Sequence, residues 1–318
     1  MLKIVFLDTA SIGTDVSLAP IAQMGELVCF PYTKPEEVAV RIADAAIIIT
    51  NKVRIFQPEI DAAKGLKLIC VAATGTDHVE GSYALSKNIP VKNVAGYSTD
   101  SVAQLTFAHL LHLSTQLSYY NHYVHSGAYA ESLAATHLGP LFAELKGKRL
   151  GIIGMGNIGK KVASIGEAFG MRVVYFSTSG SNYNKKYPIL SLKELLETSD
   201  VVSIHAPLNG NTRNLITLEQ LRWMKSTSLL MNMGRGGIVN EVDLVKALNE
   251  KIIAGAGIDV YSKEPISHGH PFMGVVDQKR LLLTPHIAWT SIEARTLLVK
   301  RIAENIKAFL LENQALCS

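Results

Sequence analysis

The sequence predicts an α/β protein made of two doubly wound parallel-sheet domains with a cleft between them. Three observations carry that prediction. Short apolar runs alternate with stretches of helical period along the whole chain, the rhythm of parallel strands covered by helices. One of those runs, Leu150 to Ile153, leads at once into Gly154, Gly156 and Gly159, spaced G-x-G-x-x-G. The chain has 318 residues, 48% of them hydrophobic, enough to bury two separate cores.

Taken in order, Ile4 to Leu7, Leu27 to Phe30, Ala45 to Ile49 and Leu66 to Val71 read as buried strands of a first α/β unit. The last of them runs into Ala72 to His78. In open α/β sheets ligands sit outside the carboxyl ends of strands, so Thr74 and Gly75 are candidates to offer backbone N–H groups to an anion. A plain turn capped by Thr76 or Asp77 is the competing reading. After the small, polar stretch Asn93 to Thr99, Ser101 and Gln104 suggest a capping-box start to a long helix that crosses between domains. His109, His112, His122, His125 and His137 fall on or near this region without acidic or cysteine companions at ligand spacing, so no metal is expected and they read as ordinary helix and surface residues. Tyr119 to Leu145, aromatic and small, reads as an arm for packing on a second subunit.

The glycine stretch is the most constraining part of the chain. A strand running directly into it makes a phosphate site: Gly154 for the tight turn, Gly156 for close approach of a pyrophosphate, and Gly159 for close packing of the next helix. Asn157 and Ile158 then open that helix, whose first N–H groups point at the phosphates. Ile158, Val162, Ile165 and Phe169 recur at helical period, and Gly170 supplies the stop. Strands near Val173 to Phe176, Val201 to His205, Ser228 to Met231, Ile253 to Ile258 and Leu281 to Thr284 complete a second sheet. Thr290 and Glu293 suggest a capping box for a last helix, with Ile292, Val299, Ile302, Ile306 and Phe309 on one face. That helix is expected to return to the first domain, giving a discontinuous substrate domain, 1–97 with 290–318, and a dinucleotide-binding domain, 98–289.

Composition excludes several classes. The net charge of +4 is spread without a Lys/Arg block, which argues against nucleic acid as a partner. Cys29, Cys70 and Cys317 are three, odd in number and in no C-x-x-C pair, so neither a disulfide framework nor a zinc site is expected. The apolar start, cut by Lys3 and ended by Asp8, is too short for a secretion signal, and no run reaches the length of a membrane span. A cytoplasmic protein with no membrane partner is expected.

Three strands of the second unit end in residues that can do chemistry: Arg235, then Asp259 and Glu264, then His286. In a parallel sheet all share one rim with the glycine loop. The fork of donors on Arg235 suits a carboxylate and a neighbouring keto oxygen. His286 can give or take the substrate proton, with Glu264 orienting its ring.

Together, Gly154 to Gly159, His205 to Thr212, Asn232 to Asn240, Gly257 to Pro265 and Thr284 to Thr290 resemble the D-isomer-specific 2-hydroxyacid dehydrogenases. The match runs nearly the whole length. Asn93 to Gln104 and His286 to Thr290 look most like the glycerate dehydrogenase (hydroxypyruvate reductase) branch. The resemblance implies two Rossmann-like domains, Arg235 as binder of substrate carboxylate and keto group, His286 as acid/base and Glu264 as its partner. It implies Asp259 on the nicotinamide carboxamide, with His205, Pro207, Thr212, Met233 and Gly234 lining the cofactor cleft. It also implies a homodimer and a small 2-keto or 2-hydroxy acid as substrate, hydroxypyruvate or glyoxylate first. Relatives with an Asp after the second strand of the cofactor domain use it to hold the ribose hydroxyls. Here Ser177 stands, followed by Thr178; neutral hydroxyls do not repel a 2'-phosphate, so NADP is expected to be accepted at least comparably with NAD. Two other classes compete. A cofactor-sensing corepressor on the same fold would keep the cofactor site without turnover, and a methyltransferase would leave the rim residues without a role.

Overall fold

The computed structural model describes residues 2–180 and 184–313; Cys317 lies outside the described residues. The chain divides into two compact units, Met1–Ser98 with Trp289–Ser318, and Thr99–Ala288.

The first unit opens with strands β1 (Lys3–Phe6), β2 (Glu26–Cys29), β3 (Ile47–Thr50), β4 (Leu68–Val71) and a two-residue β5 (Val91–Lys92). Helices α1 (Ala19–Ala22), α2 (Val38–Ile42), α3 (Gln57–Ala62) and α4 (Gly81–Ser86) alternate with them. All neighbours pair in parallel in the order β2-β1-β3-β4-β5. The β3 and β4 strands are buried at every position, which is why they read as continuous apolar runs. Beyond the four expected strands there is a fifth, β5, whose two residues are too few to show any period.

The second unit begins with α5 (Thr99–Thr115), then α6 (Leu117–His125) and an irregular stretch. There is no capping box at Ser101. The helix starts two residues earlier, and the Ser101 hydroxyl donates to the Ala288 carbonyl at 2.6 Å instead. The sheet follows: β6 (Arg149–Ile153), β7 (Arg172–Phe176), β8 (Val201–Ile204), β9 (Leu229–Asn232), β10 (Gly255–Ile258) and β11 (Leu281–Leu283). Helices α7 (Asn157–Ala168), α8 (Leu192–Thr198), α9 (Leu218–Trp223) and α10 (Glu241–Asn249) connect them. The strands are all parallel, in the order β11-β10-β9-β8-β6-β7. Successive strands leave β6 on opposite sides, so the end of β6 is the topological switch point, and the glycine loop sits there. On α7 the buried stripe runs through Gly159, Val162, Ala163 and Gly166, while Ile158 and Ile165 are half-buried and Phe169 is exposed. Small residues face the sheet because the helix lies close to it: a Cβ at Gly166 would come 2.6 Å from Leu150 Cδ2.

The chain returns to the first unit as α11 (Ile292–Glu312). Its cap is Ser291, whose hydroxyl accepts from the Ala294 N–H, rather than the expected Thr290. Leu298, Val299, Ile302, Ile306 and Phe309 join the cluster built on Ile4, Phe6, Ile47 and Leu68, each stabilising it by about 1.5–3 kcal/mol of apolar burial. Ile292 does not join them; it is exposed at the first turn.

Candidate active site

The glycine loop has the shape its spacing demands. Gly154 adopts φ +93, and a Cβ there would lie 2.9 Å from the Ala206 nitrogen, so the loop and the segment after β8 touch. A Cβ at Gly159 would run into the Gly154 carbonyl oxygen. At Gly156 the same test meets no protein atom within 4 Å, so that face of the loop is open. Gly156 caps α7 without any side-chain bond, leaving the first N–H groups at Asn157 and Ile158 to an outside acceptor. The cradle therefore fits a pyrophosphate.

The rim continues from strand to strand. Gly234, after β9, packs on the carbonyls of Ile204 and Ala206, with 3.0 Å to the latter from a built Cβ, and Gly236 lies against the backbone of Tyr261 and Ser262. Asn232 shapes this turn: its amide donates to the Arg235 carbonyl at 3.1 Å and its oxygen accepts from the Gly234 N–H at 3.2 Å. Arg235 is half-buried and spends one guanidinium N–H on its neighbour Gly234 O at 2.9 Å. No carboxylate pairs with it among the described residues, so the rest of its fork is available.

His286 and Glu264 are brought together. Nδ1 of the imidazole is 2.7 Å from Glu264 Oε2, and Glu264 Oε1 accepts the Tyr261 N–H at 3.0 Å, which orients the carboxylate. The arrangement leaves His286 Nε2 as the atom that can reach a substrate. His286 itself sits at φ +55, a left-handed position that a non-glycine residue adopts at a cost of about 1 kcal/mol. Asp259 holds that turn. Its Oδ1 accepts from the Thr284 hydroxyl at 2.6 Å and the Ile287 N–H at 2.9 Å, and its Oδ2 from the Ala288 N–H at 2.9 Å. Burial pushes the Asp259 carboxyl up, against the pull of those three donors and of nearby His286. Oδ2 keeps one lone pair for a further donor. Tyr261 braces the same turn, donating to the Thr284 carbonyl at 2.8 Å; burial and the charges of Asp259, Glu264 and Glu241 push its pKa to about 12, so it stays a donor.

The remaining predicted residues are positioned as follows. Thr212 is fully buried and donates to the Pro207 carbonyl at 2.6 Å, so it shapes the loop after β8 rather than presenting a hydroxyl. Met233 is buried and Pro207 exposed. His205 is half-buried; Nε2 lies 2.8 Å from Ser203 Oγ, Nδ1 is sealed without a partner, and burial pushes the ring down to about 3, keeping it neutral. At the end of β7, Ser177 is buried with an unpartnered Oγ and Thr178 is half-buried. Lys186 nearby is tied to Glu167, while Lys185 is exposed. In the first unit, the Thr74 hydroxyl donates to Val94 O at 3.1 Å, and the Thr74 carbonyl accepts from Asn93 at 2.6 Å. The N–H groups of Thr74 and Gly75 have no backbone partner among the described residues.

Sequence reading missed Tyr261, Thr284 and Asn232, although all three lie inside motifs it singled out. It also took His109 for an ordinary helix or surface residue, whereas His109 is buried on α5. A cavity of about 620 Å³ opens at the opposite, amino-terminal edge of the second sheet, lined by Leu113, Phe142, Lys148 and Leu229 among others. It contains none of these residues. Among the described residues no cluster suits a metal ion and no helix is long and apolar enough to cross a membrane.

A phosphate cradle at the switch point of a parallel sheet, with an imidazole–carboxylate pair on the same rim, defines a dinucleotide-dependent oxidoreductase. The chain belongs to the D-isomer specific 2-hydroxyacid dehydrogenases, whose NAD binding domain matches residues 107–288, and it works with a nicotinamide cofactor. It is similar to a hydroxypyruvate reductase of Blautia hydrogenotrophica, 35% identical over 97% of each chain. It is also similar to a glycerate dehydrogenase of Methylorubrum extorquens, 34% identical over 97% of this chain and 96% of that one. Among solved structures, an NADPH-dependent glyoxylate/hydroxypyruvate reductase from Sinorhizobium meliloti, in complex with NADP and malonate, superimposes with a TM-score of 0.82 at 25% identity, covering 97% of this chain and 93% of that one.

Proposed function

We propose that the chain reduces a small 2-keto acid, hydroxypyruvate or glyoxylate, to the D-2-hydroxy acid. The observation that carries this reading is the His286–Glu264 pair at 2.7 Å, on the rim that also bears Arg235, whose guanidinium has no carboxylate partner among the described residues. Gly154, Gly156, Asn157, Ile158 and Gly159 would hold the pyrophosphate, and Asp259 the carboxamide through its remaining lone pair. The bound reduced nicotinamide supplies the hydride. Arg235 grips the substrate carboxylate and polarises the keto oxygen. His286, protonated and steadied by Glu264 at Nδ1, delivers the Nε2 proton to that oxygen as it becomes a hydroxyl. Thr74 and Gly75 are proposed as further donors to the substrate anion through their free amides. Loss of reduced-cofactor absorbance with hydroxypyruvate, glyoxylate, pyruvate and bulkier keto acids tests the reading. Tight cofactor binding without turnover on any of them would instead identify a cofactor sensor.

NADP(H) is proposed to be used at least comparably with NAD(H), because Ser177 and Thr178 place no negative charge at the end of β7. The relative from Sinorhizobium meliloti, which uses NADPH, is consistent with that. Ser177→Asp should weaken NADPH binding about tenfold or more by setting a carboxylate against the 2'-phosphate, while leaving NADH within about twofold. Strong NADH selectivity in the unmodified protein would show that Ser177 does not set the preference. A cytoplasmic homodimer is also proposed, its contact including Leu133, Leu138, Leu141 and Phe142, all exposed apolar side chains of the stretch after α6.

A further inference from the structure

We propose that His109 is a positioning residue for the reaction: through the Thr284 hydroxyl it fixes the Asp259 carboxylate and hence the turn that carries His286. His109 lies on α5, far from the motifs in sequence, yet its Nε2 is 3.1 Å from Thr284 Oγ1. A threonine hydroxyl has one proton. At 2.6 Å from Asp259 Oδ1, with a carboxylate as the acceptor, that proton belongs to Asp259. Oγ1 can then only accept from His109, so the imidazole carries its proton on Nε2. The other nitrogen agrees: Nδ1 is buried without a partner, facing Gly257 of β10, where a Cβ would come within 2.8 Å of it. Burial pushes the His109 ring down to about 4, so it is neutral at ordinary pH and has a single N–H to give.

The relay His109→Thr284→Asp259 therefore has one direction and no alternative tautomer. Its far end is functional. Asp259 closes the relay on the Ile287 and Ala288 N–H groups, immediately after His286 in its left-handed conformation. If Thr284 lost its donor, its hydroxyl would be held by Asp259 alone, the bond to Asp259 would weaken for want of that support, and the turn at His286 would loosen. A side chain that only filled space on α5 would need no N–H, and a leucine would serve.

The test uses the full-length protein and four variants: His109→Leu, His109→Gln, Thr284→Val and the double variant His109→Leu/Thr284→Val. In the protein without cofactor, His109→Leu should raise hydrogen exchange at the Ile287 and Ala288 amides about tenfold, and His109→Gln, which keeps an N–H donor near the same place, should restore most of the protection. In turnover, kcat should fall about fivefold to tenfold with the KM for hydroxypyruvate nearly constant, because the loss is in aim rather than in binding. The double variant should match Thr284→Val alone, since both break one chain. Equal exchange in His109→Leu and the parent, or additive losses in the double variant, would overturn the relay. If His109→Leu does not fold, Thr284→Val leaves the imidazole packed and must itself raise exchange at the two amides; protection as in the parent overturns the proposal. The kinetic arm rests on the keto-acid reductase reading, but the exchange arm does not, so a failure of either is told apart.

Discussion

At the scale of single residues, the site depends on which side chains have spent their hydrogen bonds. Arg235 has most of its donors unused and no carboxylate partner among the described residues, so its planar fork is open to an anion. Arg235→Lys should lower kcat/KM for the keto acid by about a hundredfold or more while cofactor affinity changes little, since an ammonium cannot make two parallel bonds. Unchanged kcat/KM would remove Arg235 from substrate binding. His109 and His205 represent the opposite state, neutral rings held at about 4 and about 3 by burial. Both folded values lie below the ordinary ~6.5, so the unfolded chain takes up protons that the folded chain refuses. Their contribution is whole above about pH 6.5 and is lost as the pH falls towards 4, by at most about 1.4 kcal/mol per pH unit for each ring. Urea midpoints at pH 7.5 and 5.0 should therefore differ less in His109→Gln than in the parent; an equal difference would mean that the ring already titrates freely. The placement of Arg235, Glu264 and His286 after strand ends was legible because each follows a strand and lies in a motif. His109 was not, because burial of a lone histidine on a helix leaves no mark in local sequence.

At the scale of elements, strands were read well and caps poorly, for physical reasons. A parallel strand buried on both faces, such as β3 or β4, must be apolar at every position, and that is visible at once. A cap is decided by one hydroxyl. Thr290 and Ser291 are adjacent and chemically alike, and only the backbone geometry gives the role to Ser291. Ser101, which resembled a cap, bonds instead to a carbonyl almost two hundred residues away in sequence. The element with the least tolerance is the start of α7. Gly159→Ala should place a methyl against the Gly154 carbonyl and force the helix off β6, weakening NADPH and NADH binding alike by about tenfold and lowering Tm. Gly156→Ala, with open space at its Cβ, should leave Tm nearly unchanged while still reducing cofactor affinity. Equal Tm losses in the two would show that loop strain, not ligand approach, governs both glycines.

At the scale of the whole molecule, each sheet is organised around a switch point, and the second is the richer in chemistry. The proposed dimer makes a direct prediction. Leu141→Glu combined with Phe142→Asp should move the protein from dimer to monomer in analytical ultracentrifugation, because two charges would have to be buried at the contact; a parent protein already sedimenting as a monomer would refute it. All strands but the two-residue β5, and the return of the last helix, were legible in the alternation of periods, whereas the stretch after α6, with no strand period, read only as an arm for a second subunit. The discontinuity of the first unit also bears on how the chain is made. On the ribosome, Met1–Ser98 emerges before Thr99–Ala288, yet the face of its sheet that takes Leu298, Val299, Ile302, Ile306 and Phe309 stays uncovered until α11 is translated. At roughly 5–20 residues per second, that wait lasts about 10–40 s, during which the continuous second unit can be synthesised and can fold. The nascent protein thus matures from the middle outward, and the interval in which a chaperone would find an open apolar sheet is written into the order of its segments.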